Sequence, residues 1–251
     1  MAVSSRSVGA VKLWEYLSRA GKRVAVLNVP LTYPPEPVNG LMIGDFFTPT
    51  GAQDFTYPRE LRAELESRYG PYPLHHKQVY TPKNTGNVLD ELYHHQNYVA
   101  DVTEDLLQRE PWDFFMVHFA GTDRLQHELW HVLDADHPMH RVGESARYGE
   151  MTRAFYTLVD QHVERLTRAA GKDVTVVGVS DHGFGGIHQF VNFNVWLLQE
   201  GFLTLRHDAL TAVKRILFDL GLTPSTGYRL GMRLGLANLR LSQGMKDRFT
   251  L

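Results

Sequence analysis

The chain reads as an α/β protein, a three-layer α/β/α sandwich around a mostly parallel sheet. Three observations predict it. Segments with helical and with strand character alternate three times along the body of the chain. Two short runs, residues 114–119 and 174–179, are largely apolar, which is how strands buried on both faces read. Each run is followed by small residues and an Asp with a His nearby, at the end of the strand where open α/β sheets bind ligands.

Composition narrows the field. With 251 residues, 43% of them hydrophobic, the chain suffices for one sizeable domain or a domain with a subdomain. A net charge of −2 supplies no basic field to recruit nucleic acid. Cysteine is absent, so there is no disulfide framework and no thiolate chemistry, which fits a cytoplasmic protein. No run approaches the ~18 apolar residues of a spanning helix. The N-terminal Met-Ala-Val-Ser-Ser-Arg-Ser lacks the apolar core of a signal peptide. Of thirteen histidines, those at 75–76, 94–95 and 137 lie in polar stretches and read as surface residues.

Taken in order, residues 8–20 form an amphipathic helix with Val11, Trp14 and Leu17 on one face, ended by Gly21. A strand follows over 22–29, apolar from Val24 to Leu27. Residues 30–51 are rich in Pro and Gly and have no period, so they read as a long loop over the sheet. A short charged helix over 57–69 and an irregular stretch over 71–86 come next. A helix over 87–109, with Leu89, Leu92, Val99, Val102 and Leu106 inward, feeds the strand at 114–119. A long helix over 145–170 carries Met151, Phe155, Leu158, Val159, His162 and Leu166 on one stripe and is ended by Gly171. Its Asp160 and His162 read as surface or satisfied core groups. The strand at 174–179 comes last.

Beyond Leu205 the character changes. Residues 206–251 hold eight Lys or Arg against three Asp or Glu, whereas the preceding 205 hold eighteen and twenty-five. The chain thus divides into a body, 1–205, and a basic helical insertion or cap segment, 206–251. That segment has a helix at 209–220 and interleaved Leu, Met and Arg over 227–241. Such a segment binds an anionic surface or a partner, or packs on the body; packing is the expectation.

Two stretches carry chemistry. In the first, a helical pattern begins near Thr122 or Asp123, either of which is a good N-cap. Four residues span about one turn, so His127 rises toward Asp123 and both can converge on one ion. The competing reading is a capping Asp and a surface His. In the second, Asp181-His182-Gly183 pairs a hard oxygen donor with a borderline nitrogen donor where the 174–179 run ends, which suits a divalent metal. The competing reading is a turn with a solvated Asp and a capping His. Two strand-end carboxylates, each with a nearby His, are more specific than either alone.

Thr-Asp-Arg-Leu-Gln-His at 122–127 and Ser-Asp-His-Gly-Phe-Gly at 180–185 resemble the two central metal motifs of the alkaline phosphatase superfamily. The closest resemblance is to its type I phosphodiesterase/nucleotide pyrophosphatase branch. Asn-Val-Pro-Leu-Thr-Tyr-Pro-Pro-Glu-Pro-Val-Asn-Gly at 28–40 and Phe-Val-Asn-Phe-Asn-Val-Trp-Leu at 190–197 resemble that branch too. The resemblance covers most of residues 11–205. It implies an alkaline-phosphatase-like fold, here incomplete, and a hydrolase of small-molecule phosphate esters. It also implies two divalent metal ions, zinc or alternatively manganese, about 4 Å apart. Asp123 and His127 would hold one ion, and Asp181 and His182 the other. The loop at 30–51 would help to shape the substrate pocket.

The superfamily's nucleophile, usually a Thr, and its last metal-binding His belong to segments outside anything matching residues 11–251. Thr32 and Thr48 match other parts of the family, so no residue is assigned as nucleophile. The sequence therefore reads as the internal portion of a longer enzyme. Weak metal binding, negligible turnover and exposed sheet edges are expected of it alone. His118 reads as a buried, hydrogen-bonded histidine, His188 as a loop-surface residue, and Asn192 and Asn194 as residues that orient the second loop. Phosphomonoesterases, sulfatases and phosphomutases of the superfamily share the metal motifs, but the 28–40 stretch argues for the phosphodiesterase branch. A non-catalytic binding module is the remaining reading, against which the four candidate ligands stand together.

Overall fold

A computed structural model describes residues 4–187, 191–204 and 208–220. The chain forms two compact units, Met1–His188 and Gln189–Leu251. His188 and residues 221–251, including the interleaved stretch at 227–241, lie outside the described residues.

The first unit is built on a four-stranded sheet. β1 (Val24–Leu27) lies between β2 (Gly40–Ile43) and β4 (Phe114–Val117) and runs parallel to both; β3 (Thr56–Tyr57) adds antiparallel to β2. All four β1 residues are 0% exposed, and the strand's alternation assigns each face its own layer. Ala25 and Leu27, with Leu41 and Ile43, pack against Leu61 and Leu65 of α2 (Glu60–Tyr69) and Val102 and Leu106 of α3 (Thr85–Arg109). Val24 and Val26, with Met42, meet Trp14 and Leu17 of α1 (Leu13–Arg19) on the other side. Helices thus cover both faces of a mostly parallel sheet, and the expected α/β class is borne out. A separate cluster joins α3 to α4 (Gly121–Leu133) and α5 (Val142–Ala170) through Leu89, Leu92, Leu125, Leu129 and Phe155. Each such fully buried side chain contributes roughly 1.5–3 kcal/mol.

Four expectations need correction. The stretch at 30–51 is not all loop, because it contains β2. Its apolar run, residues 41–43, is only three residues long between Gly40 and Gly44, too short to stand out in a Pro- and Gly-rich stretch. The first helix begins at Leu13, not at residue 8. Its N-cap, Lys12, is extended, and a separate short turn occupies Ser5–Ser7. Residues 174–179, expected as a buried strand, form no ladder among the described residues, and Val177 and Val179 are 75% and 84% exposed. Both sides of β1 are filled; β4 pairs with β1 alone, so its outer edge is open, but the run does not ladder onto it. Apolar β-branched sequence supplies the propensity for a strand, whereas burial needs a partner edge. Finally, His95 is buried and His76 nearly so, in a segment read as surface.

In the second unit, α6 (Phe193–Gln199) is capped by Asn192, whose side chain accepts from the Val195 amide at 3.2 Å, and α7 (Ala209–Asp219) follows. Among the described residues, no helix is long and apolar enough to cross a membrane.

Candidate active site

β1, β2 and β4 are parallel, so Leu27, Ile43 and Val117 end at the same edge of the sheet. The residues that follow are locked to one another: Asn28 N–H donates to Ile43 O and His118 N–H to Leu27 O, both at 3.0 Å. Asn28 and Leu31 have positive φ, 59° and 64°, a conformation costly for Leu. Two side chains hold this turn. Tyr72 donates its hydroxyl to Asn28 Oδ1 at 2.6 Å, and the fully buried Asp45 accepts the backbone N–H groups of Leu31 and Phe47. Burial raises the pKa of Asp45, while these backbone donors pull it down.

α4 starts immediately beyond β4. Its N-cap is Ala120, without a side-chain cap, so Asp123 lies in the first turn and is not the cap expected from the sequence. Gly121 permits the close approach: a Cβ there would stand 2.7 Å from both Gln96 Oε1 and Phe155 Cζ. Within that turn the helix dipole favours the carboxylate. One turn further, His127 Nε2 lies 3.3 Å from Asp123 Oδ1.

The second motif reaches the same carboxylate. His182 Nε2 is 3.6 Å from Asp123 Oδ1 and 3.8 Å from Asp181 Oδ1. His182 Nδ1 faces Gly183 O at 2.8 Å, which leaves Nε2 turned toward the carboxylates. That hydrogen bond first, and then the Asp181 carboxylate, raise the His182 pKa. Phe184 joins the motif to α4, with its ring 5.0 Å from that of His127 at 85° and 5.5 Å from that of Trp130. Asp181 is almost fully exposed.

Asp123, His127 and His182 are therefore brought to one point, and Asp181 lies beside His182. Two carboxylates and two imidazoles are, in kind, the donors a divalent ion takes. Among the described residues, no group of three or more His, Cys, Asp or Glu is arranged to hold an ion.

Beside Asp123 opens a cleft of about 270 Å³, lined among others by Asn28, Phe46, Gln96, His118 and Arg124. Sequence reasoning gave most of these no role. The one signal was positional, since Asn28 and His118 directly follow strand ends. Burial holds the pKa of His118 below its ordinary 6.5, against a hydrogen bond to the Asn28 carbonyl. Deeper in the wall, His76 and His95 stack with ring centroids 4.6 Å apart. Burial, and then the neighbouring His95, push the pKa of His76 down to about 4; burial also lowers that of His95.

A parallel sheet with carboxylate and imidazole donors at its carboxyl edge is consistent with an alkaline-phosphatase-like α/β hydrolase. The chain belongs to the type I phosphodiesterase/nucleotide pyrophosphatase family, whose model matches residues 2–229. That family acts on small-molecule phosphate esters and is generally metal-dependent. Comparison with curated proteins and with solved structures gave no match.

Proposed function

We propose that this chain is a metal-dependent hydrolase of phosphate esters of the phosphodiesterase or pyrophosphatase type. Asp123 and His127 hold one divalent ion, and Asp181 and His182 hold the other. The observation that carries the reading is the position of Asp123 Oδ1 within 3.3 Å of His127 Nε2 and 3.6 Å of His182 Nε2. Zinc or manganese would polarise the phosphoryl group and stabilise charge on the leaving oxygen.

The chain's own residues orient. The Gly183 carbonyl fixes the ring of His182 so that Nε2 faces the site. The first turn of α4 sets the Asp123 carboxylate at the mouth of the cleft. Arg124 is held in place by Glu128 at 2.6 Å and the Gln78 carbonyl at 2.8 Å. With two of these protein donors per ion, uptake is weak and turnover negligible.

The test uses the full purified chain with bis(4-nitrophenyl) phosphate in excess zinc or manganese, beside 4-nitrophenyl phosphate and 4-nitrophenyl sulfate. The expected result is at most a trace of metal-dependent cleavage, of the diester before the other two, lost in Asp181→Ala. Cleavage that survives in Asp181→Ala, or preference for the monoester or the sulfate, would sink the proposal.

A further inference from the structure

The charges of this chain are segregated. Residues 206–251 hold eight Lys or Arg against three Asp or Glu, and the preceding 205 hold eighteen against twenty-five. The basic part begins with α7. Asp208 caps that helix: the Thr211 amide donates to Asp208 Oδ1 at 2.7 Å, and the Ala212 amide to the Asp208 carbonyl at 3.0 Å. Val213, Ile216 and Leu217 follow at helical spacing. Leu220 completes the series, because its amide donates to the Ile216 carbonyl at 3.0 Å and carries the turn on. These four residues fall on one stripe, and each is between 40% and 70% exposed. Lys214 and Arg215 occupy register positions outside the stripe.

An exposed apolar stripe by itself names no occupant. The charge does. The stripe calls for an apolar medium and the segment around it for an anionic one. A bilayer with anionic headgroups offers both at one surface, the acyl boundary for the apolar side chains and the phosphates for the cations. The same surface repels the acidic body, so contact falls to the basic segment. Trp196 of α6 and Phe202 just after it are exposed as well, and such rings favour the headgroup boundary.

We propose that α7, with the basic residues around it in sequence, docks this chain on an anionic lipid surface. Val213, Ile216, Leu217 and Leu220 enter the acyl boundary, and the cations of residues 206–251 meet the headgroups. The helix lies on the membrane and does not cross it. Nothing in this depends on the reaction at Asp123.

The experiment is co-sedimentation of the full chain with vesicles of phosphatidylcholine, alone or with about 30% phosphatidylglycerol, at about 0.1 M and about 0.5 M salt. Binding to the anionic vesicles is expected to be at least about tenfold tighter than to the neutral ones, and weaker in the higher salt. Ile216→Ser/Leu217→Ser and Lys214→Gln/Arg215→Gln are each expected to weaken it about tenfold or more. Amide exchange across residues 209–220 is expected to slow on the anionic vesicles. No binding to them, equal binding to neutral vesicles, or indifference to either pair of substitutions would overturn the proposal. So would displacement from the vesicles by heparin with Ile216→Ser/Leu217→Ser unaffected, which would make any soluble polyanion the ligand. A dimer by light scattering that Ile216→Ser/Leu217→Ser dissociates would make a second copy the occupant, and would overturn it too. If a variant loses its fold by circular dichroism, amide exchange on the unaltered chain decides: unchanged exchange across 209–220 would overturn the proposal.

Discussion

The carboxylate of Asp123 lies 3.6 Å from Nε2 of His182, so two motifs separated by the whole of α5 meet at one oxygen atom. Removing the Asp123 and Asp181 carboxylates should therefore empty both proposed half-sites. In Asp123→Ala/Asp181→Ala, apparent zinc affinity is expected to fall about a hundredfold. Elemental analysis after dialysis against graded zinc, beside the unaltered chain, measures it. Equal metal content in both proteins would show that Asp123 and Asp181 are not ligands.

Gly40 is held at φ 147°, and a Cβ there would lie 2.0 Å from the Val24 carbonyl oxygen, inside the β1–β2 ladder. Gly40→Ala should cost more than about 3 kcal/mol or abolish soluble expression. Gly70 also has a positive φ, 84°, but open space around it. Gly70→Ala should cost only about 1 kcal/mol. Urea unfolding of the two variants side by side separates the steric term from the backbone term.

Acid should destabilise the fold through the stacked histidines. His76 titrates near 6.5 when unfolded and at about 4 when folded, so the unfolded chain binds more protons between those values. Stability is full above 6.5, falls as pH drops through that window, and levels off below 4. The contribution is on the order of 3 kcal/mol. Denaturation midpoints from pH 7 to pH 4 measure it. His76→Phe should flatten the profile while keeping a ring against His95, and an unchanged slope would move the effect elsewhere.

The apolar run at 174–179 offers a simple check. Val177 and Val179 are exposed and unladdered, so Val177→Ser/Val179→Ser should change stability by less than about 0.5 kcal/mol per site and improve solubility. A loss of several kcal/mol, read by thermal unfolding, would mean that the segment is buried.

The legible and the illegible parts of the sequence differ in range. α3 and α5 follow from local periodicity, and β1 from a continuous apolar run. Asp123 and His127 could be paired because helix geometry acts over one turn. His182 could be brought to them only through a family resemblance, since no local rule fixes a distance across α5. β2 offered too short an apolar run to read. The sequence reading also missed the cleft. Gln96 is a polar residue on a helix, and nothing in its neighbours indicates that its amide is buried beside Gly121 of α4. His76 and His95 sit in polar stretches, yet burial decides their chemistry.

α4 has a mechanical consequence. Leu125, Leu129 and Val132 clamp it into the core, and His131 at its far end is buried against Tyr80 and Glu144. Asp123 and His127 are half exposed. The helix, roughly 20 Å long, is anchored along one face, with Leu125 between the two donors, and works from the other. Errors in that anchorage are carried through the helix as displacements of the two donors. A cavity at Leu129 would therefore act as a fault in aim, felt at the site by residues that touch no substrate.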